Sequence, residues 1–574
     1  MVNRILAVIG LVVLSIAVVS SCSSNHLQYK PGPVRTDDND RQNIPEPGVS
    51  DPVLAWQSLD RSAWQQGEEL LDIDRDFRKL IGRPKESFNM NRFDEVPNSS
   101  WFVNRIGQTN VSVDDILGVG AGFDGPDTSG TWTVFRHKAQ GKMPGLWIKD
   151  SRGESYIIKF DPDTNPEMHT AATAMGSRFF HVCGYNVPEE TIVHWRTEIL
   201  QLEPGIKFID ANGNRRELQK SDLDEILAQA YKLPDGRVRS LASKLLGGKI
   251  VGPFKYDGKR SDDPNDWCKH EYRRELRALY VIASFINHYD TKDQNTLDTY
   301  IEEDGRKFIK HHLIDFGSTF GSNGDRPKDG KIGYCNTFDL RDVMVSWATL
   351  GLKKWGWENA KPYQYASIGY FESEIFEPNK WNPIVPNPAF ENMTPRDAYW
   401  GTKIVMAWRD EHIRALVETG DYSDQAAKEY LIKTLIERRD KIGRYWFGKV
   451  APLDNFVFAD DGNSMSIKFQ DLAVKYGLEV DSDTKYMWSV TYNGKKLVND
   501  VSQTGLSLDF GTELRNTLAG AYRSDKAGDD KSHLYEVKLR VQRGDASRSQ
   551  PVALWLWYHS EEARFELVGI EHLY

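Results

Sequence analysis

In the middle of the chain, a helix-like stretch ends directly at a cluster of polar residues. The segment EYRRELRALYVIASFINH, residues 271–288, repeats apolar residues at helical spacing and places on one face Leu276, Leu279, Tyr280, Ala283 and Ile286. The polar segment DTKDQN follows at 290–295, and TLDTYIEEDGRKFIKHHLIDFG then predicts two strands joined by a turn at 303–305. The polar side chains are therefore expected at the ends of regular elements, where the fold can hold them in fixed positions.

Upstream of this region, the pattern predicts three strands and then a helix. TWTVFRHKA, GLWIKD and ESYIIKFD are strand-like, and a D-S-R-G turn separates the last two. A helix is predicted at about 166–182, ended by Cys183-Gly184. Residues 395–447 are largely helical in pattern, whereas four alternating segments after 452 predict an antiparallel β-sandwich.

Four of these polar residues match the needs of phosphoryl transfer, which are an acid near the acceptor hydroxyl, oxygen ligands for Mg²⁺ and a cation on the phosphates. Asp290 lies five residues before Asn295, and Asp315 ends an apolar strand and precedes Phe316-Gly317. Lys159 lies inside the third predicted strand. We predict Asp290 as the base, Asn295 and Asp315 as Mg²⁺ ligands, and Lys159 as the phosphate contact.

The segment HYDTKDQN, residues 288–295, resembles the protein-kinase catalytic loop H-R-D-x-K-x-x-N, with Tyr289 in place of arginine. Together with HLIDFGSTFG and YIIKFDPDTNPEMHTAATAMGSRFFHVCGYNVPEE it is similar to the HipA and phosphatidylinositol-kinase branch of that superfamily. The resemblance covers roughly 130–320 and implies bound ATP and Mg²⁺. It also implies that Lys159 pairs with Glu167 and that Lys292 contacts the transferred phosphoryl group.

The chain departs from the kinase pattern in three places. No G-x-G-x-x-G precedes Lys159, so a phosphate cover would depend on backbone N–H groups of the 150–153 turn, around Ser151 and Gly153. Tyr289 replaces the arginine, and no A-P-E follows Asp315. D-F-G also occurs at 509–511, where the pattern predicts a strand end, so the triplet by itself is not specific.

The first residues of the chain predict export. One cation at Arg4 precedes an apolar run that is short for a membrane span and ends on small residues and Cys22. Val19-Ser20-Ser21-Cys22 resembles the bacterial lipobox, which implies a lipidated Cys22 and a membrane anchor. Ser23, where a retention aspartate would otherwise stand, favours the outer membrane by the same resemblance. We expect the remaining cysteines, Cys183, Cys268 and Cys335, to be mostly buried.

Other functional classes fit the sequence less well. The net charge of −10 offers no attraction to nucleic acid. Paired acids at Asp72/Asp74 or Glu189/Glu190 have no pattern that would place them across a glycosidase cleft. No G-x-S-x-G elbow and no His/Cys metal cluster is present in the sequence.

The whole 574-residue chain is therefore predicted to be an α+β protein. We expect a signal peptide at 1–21, a polar tether at 22–50, a two-lobed kinase-like domain at 51–452 and an all-β sandwich at 453–574. The small lobe would span about 90–198 and the large lobe about 199–452. The predicted function is an envelope lipoprotein that transfers phosphate to an unknown acceptor, and the alternative is an inactive kinase-like scaffold that binds carbohydrate or protein.

Overall fold

The computed structural model describes residues 36–50, 73–81, 83–119, 123–137, 145–209, 215–336, 340–522 and 533–574. The predicted signal peptide and Cys22 lie outside these ranges. So does most of the segment 56–82, WQSLDRSAWQQGEELLDIDRDFRKLIG, whose apolar residues three and four apart predict a helix. The described strands are β1 (Trp132–His137), β2 (Gly145–Lys149), β3 (Ser155–Phe160), β4 (Glu190–Trp195), β5 (Leu200–Leu202), β6 (Lys207–Ile209), β7 (Arg215–Glu217), β8 (Val238–Lys244), β9 (Lys249–Gly252), β10 (Thr296–Glu303), β11 (Arg306–Leu313), β12 (Leu453–Asp460), β13 (Met465–Asp471), β14 (Thr484–Tyr492), β15 (Lys495–Gln503), β16 (Ser507–Asp509), β17 (Leu534–Arg543), β18 (Val552–His559) and β19 (Arg564–His572).

The described helices are α1 (Ile73–Leu80), α2 (Val113–Leu117), α3 (Met168–Cys183), α4 (Lys220–Ala228), α5 (Arg274–Phe285), α6 (Leu340–Ala348), α7 (Pro388–Glu391), α8 (Pro395–Met406), α9 (Asp410–Glu418), α10 (Gln425–Phe447), α11 (Leu472–Lys475) and α12 (Gly511–Ala521). Within the described ranges, none of these helices has the length and apolar character needed to cross a membrane. The α+β class predicted from the sequence is confirmed.

The chain divides into two compact units. The larger holds the described residues up to Asp454 together with Gln470–Thr484 and His572–Tyr574. The smaller holds Asn455–Phe469 and Lys485–Glu571. The predicted boundary at 453 lies beside the first of these transitions, but the sequence did not indicate that two later segments belong to the larger unit.

A six-stranded sheet in the larger unit has the order β4-β8-β3-β2-β1-β5. Side chains alternate across a strand, and β3 shows this clearly because Tyr156, Ile158 and Phe160 are buried while the residues between them are half-buried. The buried face packs on Trp195 of β4 and on Leu223 and Leu227 of α4. Lys159 therefore projects from the face opposite to this core.

The predicted helix and hairpin of the central region are both present. The α5 helix is buried along most of its length and is followed by the β10–β11 hairpin, which also pairs with β9. Asp304 and Gly305 form its turn with φ of 52° and 72°. Two successive residues at positive φ match the right-handed twist of paired strands, which explains why Asp-Gly stands here.

Residues 36–50, assigned to a tether from their polar composition, pack against the hairpin instead. The Ile44 N–H donates to the Lys307 carbonyl at 2.9 Å, and the Ser50 N–H donates to the Val251 carbonyl at 3.1 Å. Ile44 is buried against Val251 and Ile309. This half of the predicted tether is therefore part of the folded larger unit.

The smaller unit contains an antiparallel five-stranded sheet in the order β15-β14-β17-β18-β19. A three-stranded sheet, β12-β13-β16, contributes Phe469, whose ring lies 5.1 Å from that of Tyr486 in the larger sheet. These strands fit the predicted sandwich. The α12 helix was not predicted, whereas the second D-F-G lies, as expected, where β16 ends at Asp509.

Candidate functional site

The β10–β11 hairpin brings the two predicted metal ligands to the same end of a pair of strands. Thr296 pairs with Leu313 in the ladder, so the residues just beyond the pair, Asn295 and Ile314, also lie side by side. The Ile314 N–H donates to the Asn295 carbonyl at 3.0 Å. Asp315 is the next residue, is exposed, and has a φ of 61°. A left-handed conformation is uncommon for a residue with a side chain and often marks a functional position.

The loop that carries the predicted base is held together by its own polar groups. Lys292 Nζ lies 2.6 Å from Asp290 Oδ1, and the Asp290 side chain is only 14% exposed. Asn295 Nδ2 donates to the Asp290 carbonyl at 2.7 Å. Because the amide nitrogen of Asn295 is engaged in this way, its Oδ1 oxygen is left to act as a ligand.

Three aromatic rings pack together behind this loop. His288 lies 5.3 Å from Phe180 of α3 and 5.7 Å from Phe316, and the two phenylalanine rings are stacked at 5.2 Å. Burial, and to a smaller extent the charge of Lys328, lower the pKa of His288 to about 3. The ring is therefore neutral at physiological pH, and it connects the end of α5 to α3 through packing.

Close packing explains both glycines on this contact. A Cβ on Gly317 would collide with the ring of His169, and a Cβ on Gly176 would lie 2.6 Å from the Cβ of Phe316. Both collisions lie between α3 and the segment after Asp315. The glycine of this D-F-G is therefore required by the close approach of the helix.

A buried lysine, which the sequence analysis did not identify, joins the loop to the segment after Asp315. Lys328 Nζ donates to the Asn287 and Phe320 carbonyls, at 2.6 Å each. Both carbonyls belong to residues with positive φ, 51° and 47°. Burial holds the pKa of Lys328 well below its usual range, and Arg438 lowers it further. A lone lysine in a Gly-rich loop carries no signal of this role in sequence.

Lys159 lies inside β3, as predicted, on the face of the six-stranded sheet opposite to the Trp195 core. It is half-buried, and β3 pairs it with Leu241 of β8. Within the described part of the chain its ammonium makes no ion pair and no side-chain hydrogen bond. A cation without a protein partner is available to a phosphate.

The predicted ion pair between Lys159 and Glu167 is not formed. Glu167 precedes α3 with a φ of 70°, and its carboxylate accepts from the Ser423 N–H at 3.2 and 3.3 Å. Arg239 reinforces the same connection, because it pairs with buried Asp161 at 2.8 Å and donates to the Gly420 carbonyl at 2.7 Å. Glu167 therefore ties the start of α3 to the loop before α10 instead of orienting the lysine.

Glu190 supplies the carboxylate on the lysine's side of the sheet, and the sequence analysis missed it. β8 pairs with both neighbours, and it sets Leu241 opposite Lys159 and Ser243 opposite Glu190. Residues two apart on a strand share a face, so Lys159 and Glu190 project from the same face. Glu190 is 2% exposed. The sequence could not predict this, because Glu190 stands beside a second glutamate at a strand start and the pairing of β4 with β8 is not encoded locally.

The charge state of Glu190 is linked to the other site residues. Burial raises the pKa of its carboxyl group to about 7, the Lys159 ammonium and a Ser243 hydrogen bond lower it, and the Asp315 carboxylate raises it. The charges of Lys159 and Asp315 therefore both act on one buried carboxyl group. This connects the strand lysine with the end of the hairpin.

At the 150–153 turn, the predicted phosphate cover, several N–H groups are bonded to Asp150. Asp150 accepts from the N–H groups of Arg152 and Glu154 at 3.0 and 2.9 Å, and its carbonyl accepts from the Gly153 N–H at 3.0 Å. The Ser151 hydroxyl donates to Asp127. Hydrogen bonds from Ser129 and Ser151 lower the pKa of Asp127 to about 2. Ser151 and Gly153 therefore contribute to a turn that is bonded internally and is acidic.

The donor set at the end of the hairpin fits Mg²⁺. An amide oxygen from Asn295 and a carboxylate from Asp315 are the hard oxygen ligands that this ion prefers. Within the described ranges, no group of three or more His, Cys, Asp or Glu residues could hold a metal. Mg²⁺ commonly binds through one or two protein groups plus phosphate and water, so two ligands suffice when a nucleotide is present.

The three cysteines have the environments expected from the sequence. Cys183 and Cys268 are buried, Cys335 is half-buried, and all three are free thiols. Burial raises the pKa of Cys268 to about 12, although nearby Arg273 lowers it. Such a thiol is unreactive at physiological pH.

Neither a family model nor a curated protein matches this chain. Among solved structures, a Helicobacter pylori proinflammatory kinase, CtkA, is similar at a TM-score of 0.30 and 12% identity, over 54% of this chain and 93% of that chain. The Golgi casein kinase is similar at 0.27 and 11%, and its structure with Mn/ADP bound at 0.28 and 11%, each over 71% of this chain and 94% of that chain. Likenesses this weak carry no argument, so the kinase-like assignment depends on the residues described above.

Proposed function

We propose that the chain is a nucleotide- and Mg²⁺-dependent phosphotransferase of the bacterial cell envelope, anchored by lipid at Cys22. The observation that carries the phosphotransferase proposal is the junction at the end of the hairpin. There, one hydrogen bond joins Asn295 to Ile314 and another joins the Asn295 amide to the Asp290 carbonyl. These two hydrogen bonds connect Asp290, the proposed base, with Asn295, a proposed metal ligand. They also connect Asn295 with Ile314, the residue before the second proposed ligand, Asp315.

The chemistry assigned to these residues is transfer of a terminal phosphoryl group to a hydroxyl. Asp290 accepts the hydroxyl proton while the hydroxyl oxygen forms its bond to phosphorus and the bond from phosphorus to the nucleotide's bridging oxygen breaks, so that a nucleoside diphosphate leaves. Asn295 and Asp315 would hold Mg²⁺, which neutralises phosphate charge when bound. Lys292 lies against Asp290 and contributes positive charge where the acceptor and the phosphoryl group meet.

An inactive scaffold is the second candidate, and one observation favours it. At the 150–153 turn, the N–H groups of residues 152 and 153 and of the following residue, 154, all donate to Asp150. Few N–H groups of this turn are therefore left to bind a phosphate. Two features favour activity instead: the Asp315 carboxylate at the end of the hairpin, and Lys159, which makes no ion pair with any described residue. Binding measurements separate the two candidates.

The test is a thermal-shift titration of the chain with ATP, with and without Mg²⁺. The wild type is expected to melt several degrees higher with both present, because a ligand that binds only the folded state stabilises it. Asp315→Ala should abolish the shift that depends on Mg²⁺. Asp509→Ala, in the second D-F-G, is the matched control and should respond as the wild type does.

Phosphoryl transfer from radiolabelled ATP is measured on the same variants, with a panel of compounds and proteins that carry hydroxyl groups as acceptors. Asp290→Ala should keep the ATP shift and lose phosphoryl transfer, since a base contributes about 10²–10⁴-fold. A wild-type chain whose melting temperature does not respond to ATP and Mg²⁺ would exclude the enzyme and leave the scaffold.

A further inference from the structure

Glu190 is buried on the face of the six-stranded sheet that Lys159 shares, and Ser243 bonds to its carboxyl group, but one carboxylate oxygen lacks a hydrogen-bond partner. Glu190 Oε2 makes no hydrogen bond among the described residues, although it is buried from solvent. Burying an ionisable group without a partner is unfavourable, so such groups are retained where a partner arrives later or where they act on a neighbour. Lys159 lies on the same face and makes no ion pair with any described residue, so it is the matching cation.

Sheet geometry makes a pairing of Lys159 with Glu190 possible. Lys159 and Glu190 lie on β3 and β4, with β8 between them, and their partners on β8 are two residues apart. A lysine side chain is long enough to cross one intervening strand towards a carboxylate on the same face. Glu167 is held on the Ser423 backbone and is not available to the lysine.

We propose that Glu190 is the positioning residue for Lys159: it draws the ammonium across β8 and keeps it charged and aimed at the nucleotide phosphates. This inference depends on the proposed function. Both residues are on strands of one sheet, so their geometry does not require movement of α3. The contact differs from the one expected from the sequence, where a helix glutamate would orient the lysine.

The like charge of Asp315 adds a second reason for this arrangement. Two carboxylates that face one cleft repel each other, and an ammonium between them offsets the repulsion. Lys159 acts on Glu190 with the opposite sign to Asp315. The charge of the lysine therefore offsets, at Glu190, the effect of the proposed metal ligand.

A double-mutant cycle tests this, with ADP and Mg²⁺ as the probe and isothermal titration calorimetry as the measurement. We expect Glu190→Gln and Lys159→Met each to weaken binding by about 10- to 100-fold, the range for a charged hydrogen bond. The double variant should bind no more weakly than Lys159→Met alone, because Glu190 acts through the lysine. Glu189→Gln is the matched control, since that carboxylate lies 4.0 Å from Lys244, and it should bind like the wild type.

Each outcome bears on one proposal. A wild type that does not bind ADP with Mg²⁺ overturns the proposed function. If the wild type binds and Glu190→Gln binds equally well, the function stands and the role of Glu190 is refuted. Additive losses in the double variant also refute it, because Glu190 would then act independently of Lys159. If Glu190→Gln does not fold, Glu190→Asp replaces it in the cycle, because aspartate keeps the charge on a shorter side chain. The loss of ADP affinity in Glu190→Asp must then also fail to add to the loss in Lys159→Met.

Discussion

Replacing Glu190 by glutamine should change how stability depends on pH. Burial raises the pKa of this carboxyl group from 4.5 to about 7. Between those two values the folded chain holds a proton that the unfolded chain has released, so wild-type stability falls as pH rises and levels off above about pH 7. Glutamine does not titrate, so the fall is absent in the variant.

The size of this change in stability follows from the pKa shift of Glu190. At about 1.4 kcal/mol per pKa unit, the free energy of unfolding of Glu190→Gln relative to wild type should rise by about 2.5 kcal/mol between pH 5 and pH 8. The constant cost of the amide cancels, because only the change with pH is compared. A buried group needs little correction for solvent screening.

Urea unfolding of the full chain at a series of pH values measures this difference, with the transitions of the two compact units fitted separately. Glu203→Gln, an exposed glutamate just after β5 in the same sheet, is the control and should show no comparable trend. A difference between Glu190→Gln and wild type that stays constant from pH 5 to pH 8 would refute the raised pKa. It would also remove the electrostatic link between Glu190 and the site.

Two further predictions concern packing and anchoring. Gly317→Ala should destabilise the chain by about 1–3 kcal/mol in urea unfolding because its Cβ meets the His169 ring, and His169→Ala in the same chain should restore part of the loss. Gly356→Ala, where a Cβ meets open space, is its control, and an equal cost there would contradict the packing argument. Cys22→Ser should move the chain from the membrane fraction to the soluble fraction of cells, and unchanged fractionation would reject the lipid anchor.

Much of the site could be predicted from local sequence because it depends on local structure. The β10–β11 hairpin follows from its alternating residues and an Asp-Gly turn, and a tight turn determines strand register. That register alone brings Asn295 next to Ile314 and therefore close to Asp315. The α5 helix and the loop with Asp290 were predicted for the same reason, since neighbours in the chain are neighbours in space.

Contacts between distant segments were not accessible in this way. Glu167 was expected to pair with Lys159 because it follows the strand lysine and opens a helix. Instead it accepts a hydrogen bond from Ser423, 256 residues further along the chain. The carboxylate that shares the lysine's face, Glu190, does so because β8, from 238–244, inserts between β3 and β4. Strand order and register among distant strands depend on how the whole core packs, and no local period encodes them.

The sequence by itself determined the chemistry available to this protein: a strand lysine, a loop with Asp290 and Asn295, and Asp315 after an apolar strand. The tertiary structure alone decided which carboxylate shares the lysine's face of the sheet and which distant segment meets the 150–153 turn. The sequence placed a phosphate cover at the 150–153 turn, and folding brings Asp127 from another segment to accept from the Ser151 hydroxyl. The physical reason is that an anion or an amide acquires its role from the charges and donors that folding places around it.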